Sequence, residues 1–185
     1  MSRCVSSELG AARALTGWEE ATAAQVSKRT LYTHFASKDD LVHAYLSSIE
    51  DALLPPETSA DEACPDPRRH LLAIFDWDPR TSDGPLRGCP FLNAAVEVPD
   101  PDHPVHQLTA AHKTEFTRRL TALARQAGAH DPEELGEQLA LLYDGAAARA
   151  MAFNSTRAGT HARSIAATLI DAAVSPTPEP AATTP

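Results

Sequence analysis

Proline partitions this chain into stretches of helical periodicity. There are 15 prolines in 185 residues, and apolar side chains between them recur every three or four positions. Proline lacks an N–H and clashes with the carbonyl four residues earlier, so it is tolerated in a first helical turn and otherwise stops a helix. Leu41, Val42, Tyr45, Leu46 and Ile49 lie at helical spacing, opened by Ser37 as N-cap with Asp40 near the reciprocal capping position, and Pro55–Pro56 ends that helix near Leu54. A second helix is predicted from about Arg68 to Trp77, with Leu71, Leu72 and Phe75 inward. A third runs from Phe91 to Val98. The turn at 99–104 starts a fourth, with Val105, Leu108, Phe116, Leu120 and Leu123 on one stripe, ending near Gly128. Asp131 and Pro132 open a fifth helix through Leu135, Leu139, Leu142 and Tyr143 to about Phe153. A sixth covers 160–174 with Ile165, Leu169 and Ile170.

No segment alternates with a period of two, so the fold class is all-α. The apolar fraction of 43%, with only 5% aromatic residues, predicts a core built from leucine and alanine. No apolar run approaches the roughly 18 residues of a membrane span. The start, MSRCVSSELG, lacks the apolar segment of an export signal, so no membrane association and a cytoplasmic location are expected. Three widely spaced cysteines, Cys4, Cys64 and Cys89, do not form a disulfide framework or a zinc pattern. Residues 175–185, SPTPEPAATTP, read as a disordered tail.

The net charge of −9 disfavours nucleic acid as a partner only when averaged over the chain. Residues 1–38 hold five Lys/Arg and three Asp/Glu, a balance of +2, whereas 39–185 hold eleven and twenty-two, a balance of −11. Phosphate binding needs cations where the phosphates lie, which a basic head on an acidic body supplies.

That head contains a short helix, Val26 to Phe35. Leu31 and Phe35 fall on one face at about 100° per residue. Arg29, Thr30, Thr33 and His34 take the opposite arc, with Lys28 and Tyr32 at its flanks and Ser27 as cap. Arginine, lysine and threonine can meet phosphates or base edges, and Tyr32 and His34 suit phosphate oxygens at the groove wall. Lys38 begins the next helix, whose free N–H groups also favour a phosphate. An ordinary exposed polar helix would carry the same residue types.

The spacing adds a second argument. Val26, Ser27, Thr30, Tyr32, Phe35, Lys38 and Leu41 resemble the helix-turn-helix signature of TetR-family transcriptional regulators, and Thr16 stands where that family opens the preceding helix. The stretch Arg87-Gly88-Cys89-Pro90-Phe91-Leu92-Asn93-Ala94-Ala95, with Glu97 and the later His112-Lys113 pair, resembles the ligand-domain segment of one TetR subgroup. The resemblance implies a DNA-binding head over 1–45, contacting a double-stranded operator through Thr16, Ser27, Lys28, Arg29, Thr30, Tyr32, Thr33, His34 and Lys38. It implies a ligand-binding and dimerisation body over 46–174, and a homodimer whose small-molecule effector makes it a ligand-responsive repressor. Residues 1–15 carry little apolar pattern, and Glu20 and Gln25 stand where the family has isoleucine and glycine. The alternative is therefore a helical ligand-binding or dimerisation protein whose head no longer binds DNA.

Ligand-pocket candidates on this resemblance are Phe75, Phe91, Asn93, His112 and Phe116. His112 on an apolar stripe reads either as a ligand contact or as a core histidine. The dimer interface is expected on Leu135, Leu139, Leu142, Tyr143, Ile165 and Leu169, with Ala146 and Ala150, residues that could equally pack the monomer core. Cys89 is either a buried structural thiol or a reactive one. His103, His106 and His112 lack the spacing to share one metal. No cofactor and no enzymatic activity are expected, because no Ser/His/Asp spacing, phosphate loop or metal cluster is present.

Overall fold

A computed structural model of the chain describes residues 33–55, 66–76 and 85–174. Expectations on Thr16, Ser27, Lys28, Arg29, Thr30, Tyr32 and the tail lie outside these residues. The described helices are α1 (Lys38–Leu53), α2 (Pro67–Ala73), α3 (Pro90–Glu97), α4 (Pro104–Gln126), α5 (Pro132–Phe153) and α6 (Arg157–Val174). No strand occurs among the described residues.

The local chemistry explains most boundaries. Four helices begin on proline, which gives up an N–H that would have no partner there. Ser37 Oγ accepts from the Asp40 N–H at 3.1 Å and donates to Asp40 Oδ2 at 2.8 Å. Asp131 accepts from the Glu134 N–H at 3.0 Å. Two boundaries move. α2 stops at Ala73, short of Trp77, because the N–H groups of Phe75 and Asp76 turn back to Leu72 and Ala73 in a tighter bend. α6 starts at Arg157, before Thr160. Asn154, at φ +45°, ends α5 in the left-handed conformation that asparagine tolerates, and the chain re-enters helix at once.

α4 is the central element, packing against α1, α2, α3 and α5. Its second half joins Leu71, Leu72 and Phe75 to Phe116, Leu120, Leu123, Leu135, Leu139, Tyr143 and Ile170 in the larger apolar cluster. Its first half supplies Val105 to a smaller cluster with Leu46 of α1 and Phe91 of α3. Each fully buried side chain of this size contributes about 1.5–3 kcal/mol.

The residues expected at the interface differ in how far this packing buries them. Leu135, Leu139 and Tyr143 are buried in the core of their own chain, as are Ala146 and Ala150. Leu142 and Leu169 are half-buried against the same cluster. Of the six leading candidates, Ile165 alone is exposed, at 50%. The reason is that α5 packs on both α4 and α6, so its most regular apolar stripe is consumed within the chain. Leu141 (73% exposed), Phe153 (67%) and Met151 (42%) are the large apolar residues α5 leaves outside.

Candidate nucleic-acid and ligand sites

Thr33 and His34 are helical and exposed, and Phe35 is half-buried. After two residues the chain enters α1, which crosses residue 45 without interruption and therefore carries the head directly into the body. Lys38 at its first position is exposed, and its Nζ lies 3.7 Å from Glu97 Oε2 of α3.

Further ties fix α1 on α4. Asp39 Oδ2 lies 3.2 Å from His103 Nε2. At the far end, Arg119 donates through Nη1 to the Pro55 carbonyl at 3.0 Å and through Nε to Glu115 at 2.7 Å. Hydrogen bonds from Arg118 and Arg119 hold the Glu115 carboxyl at about 2, well below the usual range.

Between these ends lies Glu50, whose Oε1 is 3.9 Å from His112 Nδ1. His112 is buried at 2% exposure, and Nδ1 finds no hydrogen-bond partner. Its ring lies flat on Phe91, with centroids 3.6 Å apart and planes within 1°. Burial first, then the nearby charges of Lys113 and Arg119, pushes the imidazole down to about 4, so it is neutral near pH 7.

The five predicted pocket residues do not share one site. Phe75 and Phe116 flank Tyr143, with ring centroids 6.0 and 5.0 Å away, in the larger cluster. Phe91 belongs to the smaller cluster with His112 against its ring. Asn93 Nδ2 donates to the Arg87 carbonyl at 2.7 Å and closes the loop entering α3. Gly88 in that loop has φ +71°, a left-handed backbone in which an L side chain would be strained. Cys89 is a free, half-buried thiol at the α3 N-cap position. An open groove elsewhere is lined by Lys113, Thr117, Thr121, Arg125, Glu133 and Glu137.

The three histidines weighed for metal have separate tasks. His103 caps α4, His106 Nδ1 lies 3.0 Å from the Val98 carbonyl, and His112 stacks on Phe91. Sequence reasoning missed Glu50 and Arg119. Glu50 was detectable as an acid four residues after Leu46, on the buried side of α1.

Residues 20–45 match the family described as bacterial regulatory proteins, tetR family. Residues 68–166 match the tetracyclin repressor-like C-terminal domain. The chain belongs to the TetR family of bacterial transcriptional regulators. A TetR-family regulator from Streptomyces coelicolor is 31% identical, with a TM-score of 0.75 over 88% of this chain and 87% of the other. A protein from Streptomyces avermitilis assigned to the same class is 33% identical, with a TM-score of 0.69 over 86% and 87%. A TetR regulator from Legionella pneumophila shares the fold at 16% identity, with a TM-score of 0.70 over 88% and 87%. No curated protein matches the sequence. The head match disfavours the reading of a TetR-like body without a working head. Among the described residues no helix is long and apolar enough to cross a membrane.

Proposed function

We infer that this TetR-family regulator is a cytoplasmic homodimer that represses by binding an operator, and that a small molecule in its helical body releases it. The observation that carries the reading is the head match over 20–45, which contains Ser27, Lys28, Arg29, Thr30, Tyr32, Thr33, His34 and Lys38 and runs into α1. Thr16 lies just ahead of that match. Two recognition helices must reach successive major grooves, about 34–36 Å apart, so operator binding requires a dimer. The exposed apolar residues Leu141 on α5 and Ile165 on α6 are available to it, in place of Leu135, Leu139 and Tyr143. An effector that favours one seating of α1 on α3 and α4 changes head spacing and weakens simultaneous binding of both heads.

A gel shift with the DNA upstream of the protein's own gene tests this. The expected result is a sequence-selective complex that weakens steeply with salt and is lost in an Arg29→Ala/Tyr32→Phe double variant. A purified dimer with no selective, salt-sensitive shift, or an unaffected double variant, refutes it.

A further inference from the structure

We propose that Glu97 restrains operator binding by holding Lys38, so that the end of α3 acts as a brake on the DNA-binding head. This rests on the operator reading above.

The contact joins two helix ends of opposite polarity. Lys38 is the first residue of α1 and its one lysine or arginine, and the free N–H groups of that first turn also favour an anion. Glu97 is the last residue of α3, which has no basic residue in its last turn to offset the carboxylate. Lys38 Nζ lies 3.7 Å from Glu97 Oε2. The stretch from Val96 to His103 holds three acids, Glu97, Asp100 and Asp102, all exposed, and no lysine or arginine. The two acids beside Lys38 have partners of their own. Asp39 Oδ2 lies 3.2 Å from His103 Nε2, and Asp40 Oδ2 accepts from Ser37 Oγ at 2.8 Å. Lys38 is thus the cation that the start of α1 offers a phosphate, and Glu97 is the anion already beside it.

The two claims on Lys38 compete. An ammonium has three donors and could face both anions at once. That arrangement would bring a phosphate and the Glu97 carboxylate within about 6 Å of each other, inside the screening length of about 8 Å at physiological salt. Operator binding therefore either opens the pair or works against the repulsion. The two side chains are 48% and 46% exposed, and a pair so open contributes little. Its effect is a few-fold in affinity, a brake that binding can overcome. Glu97 also links the brake to the body. It stands on α3, whose Phe91 packs with Leu46 of α1 and Val105 of α4, so a shift of α3 changes how closely Lys38 is held.

The test measures operator affinity of the full chain by fluorescence anisotropy at several salt concentrations, for the parent, Glu97→Gln, Lys38→Gln and the double variant. Glu137→Gln is the control, because it removes the same charge from an exposed position beside Thr121 and Arg125, near the other end of α4. Glu97→Gln is expected to bind about threefold tighter per head, about tenfold when two heads engage, with an advantage that shrinks as salt rises. Lys38→Gln binds more weakly than the parent, and in that background Glu97→Gln loses most of its gain. Glu137→Gln keeps the parental affinity. Glu97→Ala takes the place of Glu97→Gln if the latter fails to fold. An affinity of Glu97→Gln equal to the parent's, the same gain with and without Lys38, the same gain in Glu137→Gln, or a Lys38→Gln protein that binds like the parent overturns the proposal and leaves the operator reading standing. No selective complex with either the parent or Glu97→Gln overturns both.

Discussion

Gly136→Ala should destabilise the body at the crossing of α4 and α5. An added Cβ would sit 2.2 Å from Thr121 Oγ1 and 3.1 Å from both Thr121 N and Cα. Ordinary carbon contacts lie at about 3.5–4.0 Å. The hydroxyl can rotate away, but the two backbone atoms belong to a long helix, so the helices must separate. Overpacking of this kind costs about 1–3 kcal/mol, and contact with backbone puts it at the upper end. Alanine returns about 1 kcal/mol through its better helix propensity. The net loss is about 2 kcal/mol, or a fall of about 4–8 °C in Tm for a chain of this length. Urea unfolding followed by circular dichroism at fixed protein concentration measures it, since a dimer's stability depends on concentration. Thr121→Ala removes the closest atom and leaves the backbone, so in that background the cost should shrink by about 1 kcal/mol. A Gly136→Ala protein as stable as the parent, or strict additivity with Thr121→Ala, would show that the helices do not cross this closely.

Other outcomes follow from the charged and apolar groups. His112 has a folded pKa lowered to about 4 from 6.5, so the unfolded chain binds the extra proton between those values. Stability should fall as pH drops from about 6.5 towards about 4, with a slope approaching about 1.4 kcal/mol per unit, and His112→Phe should flatten that limb in acid titrations of unfolding. Glu115 has the opposite chemistry and the same direction. Its folded pKa of about 2 against 4.5 means that its contribution is complete above 4.5 and lost as pH falls towards 2, and Glu115→Gln should remove that part of the acid limb. Leu141→Glu, at a position 73% exposed in the single chain, should convert the proposed dimer to monomer in sedimentation without loss of helicity. An unchanged mass would place the interface elsewhere.

Helix positions were largely legible because their causes are local. Ser37 and Asp131 cap the helices they were read as capping, and the prolines at 67, 90, 104 and 132 each occupy a first turn. The recognition signature was legible for the same reason, since its residues lie within sixteen positions. What periodicity could not decide was the partner of an apolar stripe. Leu135, Leu139 and Tyr143 repeat as an interface would, yet they are spent on α4 and α6, and exposed Leu141 is one residue away from half-buried Leu142. A period of 3.6 shows that a face must be covered and is silent on whether the same chain or a second copy covers it.

The polar residues divide the same way. Asn93, read as a ligand contact, is claimed by a carbonyl six residues earlier once the loop closes over it. His112 was conspicuous as a histidine on an apolar stripe, but its meaning depends on Glu50, which only the packing of α1 on α4 brings to 3.9 Å. Short-range chemistry in the sequence thus established the helices, most of their ends and the family. The tertiary structure alone decided which apolar faces are used up internally and which charged groups meet, because both depend on how helices distant in sequence cross.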